Sequence, residues 1–328
     1  MILTFRQIRD CMHGAARVIP QDGCIHFKRF TEEQENLIRS YSAASLIRAE
    51  TTAGITLEME TDSENLTLSV EVANAFRGGA FSHSILVNGQ RVGQLRGKIP
   101  DGATVSMDGT FSLGQGLKRV QIVFPWSADS AVRYLQLDEG AVVRPIVRQK
   151  TMLIFGDSIT QGYDTQDPEN AYSLRLAEYL GASARNKSIG GIRFYPPLAQ
   201  LPDDVKPDIL LISYGGNDWH SGNKSEFEQS SVLFCQSLRQ LYPNAKMIVM
   251  MPFCAEARQK NEPHWHFAQL QQHLRELPEK IDNLLVMESS DFVPADPVLF
   301  HSDGVHPLDA GHTFHYQKIV NALEQTLY

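Results

Sequence analysis

The hydrophobic period of the sequence changes between about residues 146 and 151, and this change constrains the fold more than any other feature. Before it, apolar and polar residues alternate, as in AGITLEME at 53–60. Period-two alternation is typical of half-buried strands. The dipeptide Asn88-Gly89 between two β-rich runs predicts a two-residue hairpin, because both turn positions need positive φ. We therefore predict that residues 1–147 form an antiparallel β-sandwich with few long helices.

From Lys150 onward, short apolar runs alternate with segments of helical spacing. The predicted strands are MLIFGDS, DILLISYGGND, AKMIVMMPF and NLLVMESSDF. The predicted helices are AYSLRLAEYLG, SEFEQSSVLFCQSLRQLYP and DAGHTFHYQKIVNALEQTL. Strands that alternate with helices imply a parallel sheet covered on both faces. Residues 148–328 are therefore predicted to form a second, α/β domain.

The length and the charge of the chain limit the number of domains and the kinds of binding partner that we expect. A chain of 328 residues favours two domains, and 42% apolar with 21% charged residues is ordinary for a globular protein. The formal charge is −8, the pI is near 5.8, and no run of lysine or arginine occurs. Nucleic-acid binding is therefore not expected.

The N-terminal segment and the cysteines predict a cytoplasmic location. Arg6, Arg9 and Asp10 interrupt the apolar core that a signal peptide needs. The most apolar stretches are too short to cross a bilayer, so no membrane association is expected. The four cysteines form no CxxC pair and are expected to be reduced structural thiols: Cys11, Cys24, Cys235 and Cys254.

Ser158 lies in the block GDSITQG, directly after the first predicted parallel strand. In open parallel sheets, sites form beyond the carboxyl ends of the strands. A serine on a tight turn there can present its hydroxyl to a cleft, which suits a nucleophile; helix capping is the alternative interpretation. The block is not the GxSxG nucleophile elbow, so the α/β-hydrolase fold is disfavoured.

Three further blocks contain residues suited to acyl chemistry. NKSIGG contains Gly190 and Gly191, where a backbone N–H can approach a substrate oxygen; an ordinary turn is the alternative. GGND contains Asn217, whose amide can donate to an oxyanion; a left-handed turn is the alternative. DGVHP places Asp303 and His306 at a spacing that lets the carboxylate reach the imidazole. The order serine, aspartate, histidine suits a triad on an α/β sheet.

Together the four blocks resemble those of the SGNH hydrolases, the GDSL lipase/acylhydrolase superfamily, over roughly residues 150–328. The resemblance implies a flavodoxin-like, three-layer domain with a parallel sheet, and no cofactor. A β-sandwich, jelly-roll-like, before such a domain is similar to several bacterial members, including some carbohydrate esterases and an acyltransferase branch.

The same resemblance implies a role for each matched residue. Ser158 is the nucleophile, His306 is the base that takes its proton, and Asp303 orients His306. The oxyanion hole consists of the Ser158 N–H, the Gly191 N–H and the Asn217 amide. Gly191 aligns best with the family pattern, although the glycine before it is an alternative.

Residues beside the blocks are weaker candidates. Asp157 and Asp218 are expected mainly to pin their loops through backbone hydrogen bonds, and Asp157 is also a candidate substrate contact. Trp219 and Arg193 follow the third and second blocks and are candidate substrate-binding residues, with packing as the alternative. The pair His264/His266 has a spacing that can ligate metal, but without a convincing acidic or cysteine partner no metal site is expected.

The sequence therefore favours a hydrolase of small O-acyl esters that acts through an acyl-serine. Acetyl groups on a carbohydrate are the substrate suggested by family analogy. An acyltransferase with the same acyl-enzyme is one alternative, and a non-catalytic carbohydrate-binding protein is another. No pattern indicates an oligomeric state.

Overall fold

The structure, a computed structural model, describes residues 1–100, 102–253 and 265–327. The first eleven strands are β1 (Met12–His13), β2 (Arg17–Gln21), β3 (Cys24–Lys28), β4 (Thr56–Thr61), β5 (Asn65–Ala73), β6 (Ala80–Val87), β7 (Gln90–Lys98), β8 (Thr104–Ser112), β9 (Lys118–Val123), β10 (Asp129–Leu137) and β11 (Arg144–Pro145). The remaining strands are β12 (Lys150–Gly156), β13 (Ala182–Asn186), β14 (Ile209–Ser213), β15 (Lys246–Met250) and β16 (Leu284–Met287). The helices are α1 (Phe5–Asp10), α2 (Glu32–Tyr41), α3 (Ala43–Glu50), α4 (Ser158–Gln161), α5 (Tyr172–Tyr179), α6 (Pro196–Ala199), α7 (Gly216–Ser221), α8 (Lys224–Leu241), α9 (Phe267–Arg275) and α10 (Asp309–Leu327).

Strands β1 to β11 form two antiparallel sheets that pack as a β-sandwich. One sheet has the order β1-β4-β9-β6-β7, with β11 beside β4, and the other has the order β2-β3-β10-β5-β8. Alternate residues such as Leu57, Leu68 and Ile122 point into the shared core, as the period of two predicts. Asn88 and Gly89 have φ of 50° and 81° in the turn between β6 and β7. The predicted sandwich and hairpin are confirmed.

Strands β12 to β16 form a parallel sheet in the order β13-β12-β14-β15-β16. Counted along the chain this is the 2-1-3-4-5 order of flavodoxin-like folds, so the predicted fold class is confirmed. Phe155 of β12 packs with Phe234 of α8 on one face of the sheet. Ile154 belongs to the cluster on the other face, with Leu176 of α5 and Ile319 of α10. Successive residues of β12 thus pack against helices on opposite faces of the sheet.

Two helices, α2 of 10 residues and α3 of 8 residues, lie before residue 147, where the sequence predicts few long helices. Thr31 caps α2: its hydroxyl accepts from the Gln34 N–H, and the Gln34 side chain accepts from the Thr31 N–H. Phe30, Ile38 and Ala49 of this segment belong to the apolar cluster on one face of the parallel sheet. The segment therefore packs on the second domain, although it lies between strands of the sandwich.

Arg29 connects this segment to the second block. Its side chain is 1% exposed and donates to the carbonyls of Arg48 (2.6 Å), Thr51 (2.7 Å), Asn186 (2.7 Å) and Ser188 (2.9 Å). Burial lowers the pKa of Arg29 to about 9. A buried cation is tolerated only when its donors are satisfied, so Arg29 holds the second block in one position relative to the first domain.

The described cysteines, Cys11, Cys24 and Cys235, are buried and unpaired, whereas Cys254 lies outside the described residues. Within residues 1–100, 102–253 and 265–327, no helix is long and apolar enough to cross a membrane.

Candidate active site

Ser158, His306 and Asp303 form a continuous hydrogen-bonded chain. The Ser158 Oγ lies 2.8 Å from the His306 Nε2, and the His306 Nδ1 lies 2.8 Å from the Asp303 Oδ2. An ionised carboxylate only accepts hydrogen bonds, so the Nδ1 carries the imidazole proton and the Nε2 accepts from the serine hydroxyl. The chain has the geometry that a serine nucleophile and its general base require.

The local fold fixes Ser158 at the carboxyl end of β12. Asp157 is the N-cap of α4, and its Oδ1 accepts from the Ile159 N–H at 3.0 Å. The serine itself is the first helical residue, so its hydroxyl bonds to the imidazole and is not the cap. A Cβ on Gly156 would lie 2.5 Å from the Thr160 side chain, so the turn before Asp157 requires glycine.

Asp303 is held by its own loop and by an arginine from the sandwich. The Asp303 Oδ1 accepts from the backbone N–H of Val305 (2.9 Å) and of His306 (3.1 Å). The Asp303 Oδ2 accepts from the Arg77 Nη2 as well as from His306. Burial would raise the pKa of the Asp303 carboxyl, but these hydrogen bonds outweigh it and hold the pKa well below its usual range. The carboxylate is therefore ionised whenever the imidazole is neutral.

The second block presents the Gly191 N–H rather than that of Gly190. The Gly190 N–H donates to the Gln161 Oε1 at 2.8 Å, whereas Gly191 is exposed with φ of 78°. The Arg48 Nη1 donates to the Gly190 carbonyl at 2.6 Å. That carbonyl and the Gly191 N–H belong to one peptide unit, so Arg48 fixes the direction of the N–H that is predicted to bind the oxyanion.

The third block is bonded to the residues that follow the second. The Asn217 Nδ2 donates to the Ile192 carbonyl at 3.1 Å, and the Asp218 Oδ1 accepts from the Phe194 N–H at 3.1 Å. Burial raises the pKa of Asp218 to about 7. Asp218 pins the loop after Gly191, which is the structural role expected for it. The bond to Ile192 fixes the direction of the Asn217 amide, and its oxyanion role stays a prediction.

Asn217→Ala is expected to lower kcat about 10²–10³-fold with little change in KM, because an oxyanion donor meets charge that exists only in the transition state. Steady-state kinetics on a p-nitrophenyl ester measure both constants. Asn223→Ala is a matched control, since Asn223 caps α8 and lies outside the four blocks. An unchanged kcat in Asn217→Ala would remove Asn217 from the site.

The three weaker substrate-binding candidates, Trp219, Arg193 and Asp157, lie in different environments. Trp219 is 1% exposed, and its Nε1 donates to the Trp265 carbonyl at 2.9 Å, so it packs in the core instead of contacting substrate as expected. The short helix α7 directs it inward. Arg193 is partly exposed and pairs with Glu226 at 3.1 Å. Asp157 is mainly a helix cap. His264 lies outside the described residues, so the His264/His266 pair is not placed.

Sequence reasoning missed four residues around the triad: Arg48, Arg77, Tyr163 and Asp164. The Tyr163 ring stacks on the His306 ring with centroids 5.5 Å apart, and Asp164 pairs with Arg77. Tyr163 and Asp164 lie just after GDSITQG, which was a usable signal. Nothing in the sequence indicates that the two arginines reach the second domain.

Asp164, His301 and Asp303 are the one described group with the spacing of metal ligands, their ligand atoms lying within 4.8 Å of one another. The Arg77 guanidinium donates to both carboxylates of this group. Because Arg77 already donates to the carboxylate oxygens of both residues, which a metal would need as ligands, we assign no metal to them.

Comparison with known proteins agrees with this geometry. Residues 154–314 match the model of the GDSL-like lipase/acylhydrolase family. No curated protein sequence matches the chain. The fold is similar to that of a salicylyl-acyltransferase from a tetracycline biosynthetic pathway, with a TM-score of 0.78 and 18% identity over 96% of this chain and 94% of that one.

Two further structures are similar. A GDSL-like lipase from Bacteroides ovatus has a TM-score of 0.74 and 18% identity over 100% of this chain and 98% of that one. A family two carbohydrate esterase from Clostridium thermocellum, solved with cellohexaose, has a TM-score of 0.65 and 15% identity over 84% and 94%. At such identities the likeness shows the fold alone. The family match and the fold together show that the chain carries a GDSL-like lipase/acylhydrolase (SGNH) domain after two antiparallel sheets.

Proposed function

We propose that the protein hydrolyses small O-acyl esters through an acyl-Ser158 intermediate. The observation that carries this proposal is the hydrogen-bonded chain from Ser158 through His306 to Asp303. The domain belongs to a family of carboxylic ester hydrolases. Acetyl groups on a carbohydrate are the substrate we favour, since solved structures of similar fold include a family two carbohydrate esterase and an acetyl xylan esterase.

The reaction needs only groups that the chain supplies. The Ser158 Oγ attacks the ester carbonyl while the His306 Nε2 takes its proton, and His306 then gives that proton to the departing alcohol. The Ser158 and Gly191 N–H groups and the Asn217 amide would bind the oxyanion. Water, deprotonated by His306, attacks the acyl carbonyl, and His306 returns the proton to Ser158 as the acid leaves.

A cavity of about 260 Å³ lies beside the triad and is lined by Arg77, Asp164 and His301, among others. A second cavity of about 20 Å³ is lined by Asp157, Gly216 and Val305, but neither Ser158 nor His306 lines it. The proposal of a short acyl group therefore rests on the similar carbohydrate esterases and not on a cavity.

We therefore expect p-nitrophenyl acetate to exceed the octanoate ester in kcat/KM by at least about tenfold, because each misfitting methylene costs a factor of about ten or more. Hydrolysis of a graded series of esters by the wild type and Ser158→Ala tests this. A preference for the octanoate ester would contradict the small-acyl proposal, and equal rates in both proteins would contradict the esterase proposal.

Acyl transfer is the second candidate, favoured by the similarity in fold to the salicylyl-acyltransferase. An alcohol would then replace water in the second step. Adding candidate sugar acceptors to the ester assay separates the two: suppression of free acid with formation of a new ester indicates transfer. A protein that binds sugar while Ser158 stays inert to acylating reagents would instead be a carbohydrate-binding protein.

A further inference from the structure

Arg77 belongs to the turn between β5 and β6 of the sandwich, yet its guanidinium lies at the triad. The Nε donates to the Asp164 Oδ1 at 3.0 Å, and the Nη2 to the Asp164 Oδ2 at 2.5 Å. The Nη2 also donates to the Asp303 Oδ2, the same oxygen that accepts from His306. It lies 3.2 Å from the His306 Nδ1. One arginine of the first domain thus contacts two of the three triad residues.

The backbone conformation and the packing of this turn hold Arg77 in position. Its φ is 57°, a left-handed conformation that non-glycine residues rarely adopt. A Cβ on Gly79 would lie 2.0 Å from the Ile99 carbonyl oxygen, so the close approach of the chain there requires glycine. The Phe76 ring packs on Tyr163, centroids 5.2 Å apart, and Tyr163 in turn stacks on His306. The same turn therefore supports the imidazole from a second side.

Arg77 keeps its own charge and that of its partner Asp303. The hydrogen bonds that Arg77 donates to Asp164 and Asp303 raise its pKa above its usual range in spite of partial burial, so it stays charged. Its contacts also help to hold the pKa of Asp303 low against the effect of burial. Arg77 thus fixes both the charge and the position of the carboxylate that accepts from His306.

We infer that Arg77 is a positioning residue for the reaction, which fixes the Asp303 carboxylate against His306. The β-sandwich then supplies part of the catalytic machinery and is more than a platform beside it. The inference rests on the proposed esterase function, because it assigns Arg77 a role in activating Ser158.

The alternative role for Arg77 is only to hold the two domains together. Another interdomain arginine, Arg96, is a matched control that separates the two roles. Arg96 of β7 also crosses from the sandwich to the second domain, where its Nη2 pairs with the Asp167 Oδ1 at 2.8 Å. Arg96 contacts neither His306 nor Asp303 within the part of the chain that the structure describes. Arg96→Gln therefore removes an interdomain ion pair and leaves the triad contacts intact.

The test compares wild type, Arg77→Gln, Arg77→Lys and Arg96→Gln. We measure kcat and KM for p-nitrophenyl acetate, and the rate at which a fluorophosphonate labels Ser158, from about pH 5 to about pH 9, where histidine titrates. Arg77→Gln is expected to lower kcat about 10–100-fold with little change in KM, because misplacement of a general base reduces turnover. The rate of Ser158 labelling should fall by a similar factor, because labelling needs the same activation of Ser158 by His306.

Arg77→Lys keeps the charge but not the two-pronged geometry, so its kcat should lie between those of the wild type and Arg77→Gln. Arg96→Gln should match the wild type in kcat and in labelling rate. Repeating the series in a His301→Gln background removes the imidazole that also lies beside Asp303.

Equal kcat in wild type and Arg77→Gln, or equal losses in Arg77→Gln and Arg96→Gln, would overturn the inference. If Arg77→Gln does not fold, Arg77→Lys decides: an unchanged kcat contradicts the positioning role. The labelling rate separates the two proposals. Absence of labelling in the wild type counts against the esterase function, whereas labelling that is the same in the wild type and Arg77→Gln at every pH counts against Arg77 alone.

Discussion

Ser158→Ala is expected to abolish ester hydrolysis, with kcat falling by about 10⁴-fold or more, because loss of the nucleophile removes the acyl-enzyme route. The Ser158 Oγ is the atom that bonds to the His306 Nε2, and no other hydroxyl bonds to that nitrogen in the described residues. The measurement is kcat on p-nitrophenyl acetate, with active-site titration of the acyl-enzyme burst in the wild type.

Ser225→Ala is the matched control for this change. Ser225 is exposed on α8, where it accepts from the Gln229 side chain at 3.4 Å. The control should retain full activity. Activity of Ser158→Ala within about tenfold of the wild type would mean that another group carries the chemistry, since a displaced nucleophile costs far more.

Asp303→Asn is expected to lower kcat by about 10⁴-fold, because an amide in place of the carboxylate favours the wrong histidine tautomer. The new NH2 group would face the His306 Nδ1 and leave the proton on the Nε2, which then cannot accept from Ser158. Arg77 keeps its two bonds to Asp164 in this variant, so the turn that carries it should stay in place. Kinetics at several pH values measure the loss.

Asp296→Asn controls for the local structure. The Asp296 Oδ1 accepts from the Val298 N–H at 3.1 Å, much as the Asp303 Oδ1 accepts from Val305, but Asp296 is exposed and touches no triad residue in the described structure. It should behave as the wild type. If Asp303→Asn retains kcat within about tenfold, Ser158 and His306 act as a dyad and the carboxylate has no large role.

The parts of the fold that the sequence predicts are those set by local pattern. The run around Ile154 is apolar on both faces, which is typical of a buried parallel strand, and positive φ at Asn88 and Gly89 follows from turn chemistry. Ser158 lies in a short block at the end of a strand, and His306 lies in a short block before the last helix. The resemblance of these blocks to those of a known family made the candidate triad predictable.

The remaining features depend on how the domains pack. Arg77 and Arg48 reach the second domain only because of the docking of the sandwich and of α3, which no period in the sequence encodes. Trp219 follows the third block, but the short helix α7 directs it into the core. Helix α2 had a usable signal, the Thr31/Gln34 capping box, which the surrounding alternation obscured.

Arginines of the first domain that bond to loops of the second domain join the two halves into one unit. Arg29 and Arg48 bond to carbonyls of the second block, and Arg77 bonds to Asp303 of the fourth. Three arginines from the first domain therefore support the oxyanion loop and the triad carboxylate. Loop positions held by buried hydrogen bonds resist displacement, which suits a preorganised site.

Covalent labelling with a fluorophosphonate, followed by mass mapping of the adduct, tests the central claim most directly. Activation of Ser158 by His306 predicts one adduct per chain, located on Ser158 and lost in His306→Gln as well as in Ser158→Ala. An adduct on another residue, or labelling that persists at the wild-type rate without His306, would contradict the account.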